Sequence, residues 1–161
     1  MTNDVPTNGT GKDLSWLLEN FLSRVPRSSG ALLASRDGMR LAVAGVSVDQ
    51  ADTMAAVMSG LYSLAAGVGR IKGPAGEVRQ VVTELDMVNM FVMSAGDGLP
   101  PGAPFQPVTD LGKVGSILGV LTEPDADPGV VGHEMAALIT AVAEHLVTPT
   151  RGREPHLGDG Q

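Results

Sequence analysis

The chain predicts a single α+β domain in which helices flank a five-stranded antiparallel sheet, in the order helix, two strands, helix, three strands, helix. Three observations carry that prediction. The dipeptide Asp37-Gly38 separates two short apolar runs, the strongest local hairpin signal, because both residue types tolerate positive φ. Segments near each end repeat apolar residues at three-four spacing, as amphipathic helices do. Between them, residues 48–69 form a long run of helix-forming residues almost without charge.

The first helix is expected over Asp13–Val25, where Leu14, Leu17, Leu18, Phe21, Leu22 and Val25 share one face. Asp13 is the expected N-cap, and Pro26 stops the helix because the residue before a proline is pushed out of helical geometry. Strands follow at Gly30–Ser35 and Met39–Ala44. The central helix starts near Val48, where Ser47 and Gln50 have the spacing of a capping box. Val78–Leu85 and Met90–Ala95, both rich in β-branched or long apolar residues, form the next hairpin. Residues 96–113 contain four prolines and read as a loop; Val114–Leu121 reads as a buried strand. The last helix is capped by Asp127, opens on Pro128 and runs to Val147, with Met135, Leu138, Ile139, Val142 and Leu146 as its stripe. Residues 1–12 and 148–161 are polar, rich in Gly and Pro, and read as disordered tails around a domain at 13–147.

Composition removes several classes of function. With 18 acidic against 11 basic residues the formal net charge is −7, and no basic run offers a footprint for nucleic acid or an anionic membrane. Cysteine is absent, which excludes disulfides, thiol catalysis and cysteine-based zinc sites. No signal peptide, membrane-length apolar run or lipidation motif is present, so a cytoplasmic location is expected.

The central helix is the most informative segment. From Gln50 to Gly69 its single charge is Asp52, whereas a helix lying on a sheet needs only one apolar stripe. Met54, Ala55, Met58, Leu61, Tyr62 and Ala65 supply that stripe. Val57, Leu64 and Val68 fall beside it, among Ser59, Gly60, Ser63 and Gly67. Burial inside a larger core would explain such a helix, but a domain this small has few layers to hide it. A second, subunit-contacting face is the favoured reading.

Catalytic motifs fail at defining positions. Gly9-Thr10-Gly11-Lys12-Asp13 has Pro6 where a phosphate loop needs its first glycine, and Asp13 where it needs Ser or Thr. Gly67-Val68-Gly69 follows a helix rather than a strand, and its spacing is one residue too long for a dinucleotide fingerprint. Gly45-Val46-Ser47-Val48-Asp49 lacks the last glycine of a nucleophile elbow. His133-Glu134 has Ala137 where a zinc helix needs its second histidine, while His145 is too distant to join it and His156 sits in the tail. The carboxylates Asp97, Asp110, Asp125 and Asp127 fall in turns or at a cap. No catalytic, cofactor-binding or metal-binding residue is assigned, and no enzyme activity is expected.

Several strings together resemble the Roadblock/dynein-light-chain domain family, and in particular bacterial members encoded in conservon operons. They are LSWLLENFLSRVP (14–26), ALLASRDGMRLA (31–42), MAAVMSGLYSLAAGVGR (54–70), VRQVVTELD (78–86), FVMSAGDG (91–98) and PDADPGVVGHEMAALI (124–139). The resemblance implies α-β-α layers of the Roadblock/profilin-like kind and a homodimer formed through the central helix and the third strand. Its expected contact residues are Met54, Val57, Met58, Leu61, Leu64, Val81 and Thr83. It also implies a non-enzymatic adaptor or regulator of a small Ras-like GTPase, with a sensor kinase-like protein of the same operon as a further partner. Relatives pass from AGDG almost directly into the last strand, so residues 96–113 are an insertion, read first as a tolerated surface loop and second as a partner-specific contact with Phe105 as its anchor. Arg24, Arg36, Arg40, Arg70 and Arg79 are equal candidates for action on a partner's nucleotide. The alternative is a small-molecule sensor, which requires a sizeable pocket with convergent polar groups.

Overall fold

The computed structural model of the chain describes residues 9–74, 77–96 and 115–147, with side chains from Leu14 up to Glu144. Residues 1–8 of the first predicted tail, the whole of the second from 148 onward, the loop at 97–114, Phe105 and His156 lie outside them. The elements are α1 (Gly9–Arg24), β1 (Ser28–Ser35), β2 (Arg40–Ala44), α2 (Val48–Gly69), β3 (Gln80–Glu84), β4 (Asn89–Gly96), β5 (Ser116–Thr122) and α3 (Pro128–Val147). The strands form one sheet in the order β2-β1-β5-β4-β3, every neighbouring pair antiparallel. Because β2 and β3 are the two edges, α2 must cross the sheet to join them.

Side-chain alternation sends successive strand residues to opposite faces. One face carries Ala31, Leu33, Phe91, Leu118 and Val120, packed under α1 (Leu14, Leu18, Phe21, Val25) and α3 (Val131, Met135, Leu138, Val142). The other carries Leu32, Ala34, Met90, Val92 and Ile117 under α2 alone, through Ala51, Met54, Ala55 and Met58. On that face Gly119 allows a close approach, because a Cβ there would overlap the sulfur of Met58.

The caps form as their sequences dictate. The amide of Gln50 donates to the Ser47 hydroxyl at 3.2 Å, and the Gln50 side chain accepts from the Ser47 amide at 2.9 Å. Asp127 Oδ1 accepts from the amides of Gly129 and Val130 at 2.8 and 3.2 Å. Two local expectations are corrected. Helix α1 begins at Gly9 rather than Asp13: no proline lies between Pro6 and Pro26, so the helix continues back past the residue expected to cap it. The β1–β2 connection is a four-residue loop, Arg36–Met39, in which Gly38 alone takes positive φ (93°) and Asp37 does not. The buried Ser35 hydroxyl organises that loop by donating to the Asp37 carboxylate and accepting from the Met39 amide at 3.0 Å. A register shift between Leu33 and Ala34 accompanies it. Strand ends otherwise differ from expectation by one or two residues, the usual scatter of element boundaries.

Candidate interaction surface

The outer flank of α2 is apolar and uncovered. Val57 is 46% exposed, Leu64 73% and Val68 65%; Ile71, just beyond the helix end, is 76% exposed. With half-buried Leu61 these residues step along the helix at intervals of four, three, four and three, the period-3.5 spacing of a seam that receives another helix. Ala56, Gly60, Ser63 and Gly67 line the solvent side of the same flank and offer little bulk against close approach.

Between this flank and the sheet edge lies an open groove of about 550 Å³, bounded by Met54, Val57 and Leu61 from α2, Thr83 from β3, and Leu85 and Val88 from the β3–β4 turn. Its floor is Met90 and Leu121, and Asp49, Gln50 and Thr53 stand at its end near the start of α2. Strand β3 completes the site as the sheet's outer edge. It pairs with β4 on one side and with no other strand among the described residues. Val81 and Thr83 turn half-buried towards the α2 side, while Gln80, Val82 and Glu84 are exposed. An edge strand with free backbone N–H and C=O groups is a ready template for another strand.

Of the seven contact residues expected from the sequence, Met54, Val57, Leu61 and Thr83 meet at the groove. Leu64 is exposed further along α2, and Val81 packs beside the α2 core. Met58 lies in the protein's own core, its thioether filling the space above Gly119. Sequence reasoning missed Leu85, Val88, Met90 and Leu121 as lining residues and Ile71 as part of the seam. The four-three rhythm could have identified Ile71; the others meet the groove only once the strands pair.

The arginines differ in how they are held. Arg36 stacks 5.1 Å from the Tyr62 ring centre and donates to the Ser94 hydroxyl at 3.2 Å. Arg40 pairs with Asp52 at 3.4 Å, and Arg24 with Glu134 at 3.6 Å. Arg70 and Arg79 are exposed. Among the described residues no group of three or more His, Asp or Glu is arranged to hold a metal, and no helix is long and apolar enough to cross a membrane.

Residues 14–99 match the family model of the Roadblock/LC7 domain. A Roadblock/LC7 domain from Streptomyces avermitilis is 40% identical, the alignment covering 83% of this chain and 98% of that one, with a TM-score of 0.68. The gliding protein MglB from Thermus thermophilus shares the fold at 18% identity, over 85% and 90% of the two chains, with a TM-score of 0.65. An MglB described in a tetrameric arrangement gives the same identity and coverage, with a TM-score of 0.66. No curated protein sequence matches. The helix-sheet-helix layering, the strand order and the match over more than half its length together show that this chain belongs to the Roadblock/LC7 domain family.

Proposed function

We propose that the chain is a non-catalytic homodimer, built through the α2 flank and the β3 edge, that docks and regulates a small Ras-like GTPase in the cytoplasm. The observation that carries self-association is the continuous apolar strip from Val57 through Leu64 and Val68 to Ile71, beside an apolar groove and an open strand edge. A patch of that kind on so small a domain marks a protein contact. A two-fold axis sets the same helix and edge strand of a second copy against them, which satisfies both elements at once. The GTPase as partner rests on family membership, as does a sensor kinase-like protein of the same operon. The tetrameric arrangement belongs to MglB; for this chain the reading stops at two copies.

A small-molecule sensor is the second reading, favoured by one observation: the groove's volume falls within the range of ligand pockets. Its lining is almost wholly apolar, and its polar members, Asp49, Gln50, Thr53 and Thr83, sit at the rim or on the sheet edge rather than converging on an enclosed centre.

Light scattering after size exclusion, over a wide concentration range, should give a mass near twice 16.5 kDa that persists on dilution. Purified candidate GTPases, loaded with GDP or a non-hydrolysable GTP analogue, should then be retained by the dimer in one nucleotide state. Single-turnover hydrolysis measured with and without the dimer reads the direction of regulation. A monomer at every concentration would sink the dimer, and failure to retain any GTPase in either state would sink the docking role.

A further inference from the structure

Helix α2 is seated unevenly along its length. Its buried residues, Ala51, Met54, Ala55 and Met58, all lie in its first half. Leu61 and Tyr62, both half-buried, are the last to pack against that core; among the described residues none from Ser63 to Gly69 does. The second half also holds Gly60, Gly67 and Gly69. Each glycine disfavours the helix about fivefold relative to alanine. Packing within the chain does not call for Gly60, since a Cβ there would meet nothing within 4 Å. The helix ends without a left-handed cap: Arg70 stays right-handed (φ −78°), and the amides of Arg70 and Ile71 reach back only three residues, to Gly67 and Val68. A free helix shorter than about 12–15 residues is marginal in water, so this half depends on what holds it at its root.

Arg36, in the β1–β2 loop, fastens that root. Its carbonyl accepts from the Ser59 hydroxyl at 2.6 Å, and its guanidinium lies 5.1 Å from the Tyr62 ring centre. The same residue is anchored on the strands. Its amide donates to the Gly115 carbonyl at 2.8 Å, and its side chain donates to the Ser94 hydroxyl at 3.2 Å. The guanidinium also rests on the bare Cα of Gly115, where a Cβ would overlap it. Arg36 therefore offers Tyr62 a cation held in place from the sheet side.

We infer that α2 is a conformational device in two parts: a first half seated on the sheet, and a second half, from Gly60 onward, that opens and closes as a unit under a clasp of Arg36 on Tyr62. Closed, the second half carries Leu64 and Val68 in the exposed positions described above. Open, it unravels from Gly69 back to Gly60 while Ala51, Met54, Ala55 and Met58 stay in the core. The clasp breaks on opening, because Tyr62 leaves the guanidinium that the strands retain. This opening belongs to the single chain and does not require the homodimer. If two copies meet on this flank, pairing and closure reinforce one another.

Native-state hydrogen exchange on the full chain, read by mass spectrometry at a series of low urea concentrations, tests both parts. Peptides covering 61–70 should exchange at least about tenfold faster than those covering 49–58, and with a weaker dependence on urea, because a local opening exposes less surface than global unfolding. Tyr62→Leu keeps an apolar side chain but removes the ring face, so it should speed exchange of 61–70 about two- to fivefold. Arg36→Gln, which keeps a donor for Ser94 but removes the cation, should do the same. Tyr62→Phe keeps the face and should leave the rate as it is. If Arg36→Gln does not fold, the two Tyr62 variants carry the test by themselves. Exchange of 61–70 at the rate and urea dependence of 49–58 would show one cooperative helix and overturn the inference. Faster exchange of 49–58 in Tyr62→Leu with 61–70 unchanged would mean that the clasp survives opening, which also overturns it.

Discussion

The two faces of the sheet are covered unequally, and the inequality coincides with the contact surface proposed for the dimer. Five strands spaced about 4.8 Å apart make a sheet roughly 20–25 Å wide, while a helix with its side chains is about 10–12 Å across. Helices α1 and α3 together can roof one face, and Phe21, Phe91, Leu118 and Met135 are fully buried there. Helix α2 alone cannot roof the other. It crosses over Leu32, Val92, Ile117 and Gly119, and the shortfall appears on the β3 side as the groove and the bare flank of the helix. A face left half-covered by geometry, yet apolar in composition, is the surface on which the proposed homodimer rests.

The largest effects should separate the two faces by what they disturb. Phe91→Ala removes a fully buried ring from beneath α1 and α3, so it should lower the stability of the folded chain by about 3–5 kcal/mol. The measurement is chemical denaturation at a fixed protein concentration, with association followed separately. Leu64→Asp should do the opposite. Its side chain touches solvent in the single chain, so the unfolding free energy of the monomer should stay within about 0.5 kcal/mol of the parent. Its burial occurs twice in a two-fold contact, so the dissociation constant of the dimer should rise on the order of a hundredfold or more. Sedimentation across a dilution series checks this. A Leu64→Asp chain that remains a tight dimer would show that the bare flank is not where copies meet.

That division was partly legible beforehand. The α1 and α3 stripes, the capping residues Ser47, Gln50 and Asp127, and the shortage of charge on α2 are local properties of the chain, written at helical spacing. Strand order is not local. β3 could be recognised as a strand from Val81 and Val82, but its place at the outer edge depends on β5 inserting between β1 and β4. The groove's floor, Met90 and Leu121, was hidden for the same reason, since those residues become neighbours only through the β4–β5 ladder. Met58 illustrates the converse limit. Helical periodicity puts it on the apolar side of α2, but only the glycine at position 119, far away in sequence, decides that it sinks into the core rather than towards a partner.

The smallest of these effects tests how α2 is seated. Gly119→Ala adds one methyl to β5 beneath the helix, and three atoms of the Met58 side chain, Sδ, Cε and Cγ, occupy the space that methyl needs. Alanine in a strand interior gains backbone entropy over glycine, a favourable contribution of roughly 0.5–1 kcal/mol. Overpacking in a core opposes it, typically by about 1–3 kcal/mol, although a methionine is the side chain best able to move aside. The net expectation is a loss of about 1 kcal/mol, read as a shift of the denaturation midpoint. The decisive version is a double-mutant cycle with Met58→Ala, because residues in direct contact are not additive. Once the thioether is gone the new methyl has room, so Gly119→Ala should become neutral or stabilising in that background. If its cost is unchanged there, α2 is not held at this height by Met58 on Gly119. The depth of the groove would then be set by the β3–β4 turn instead.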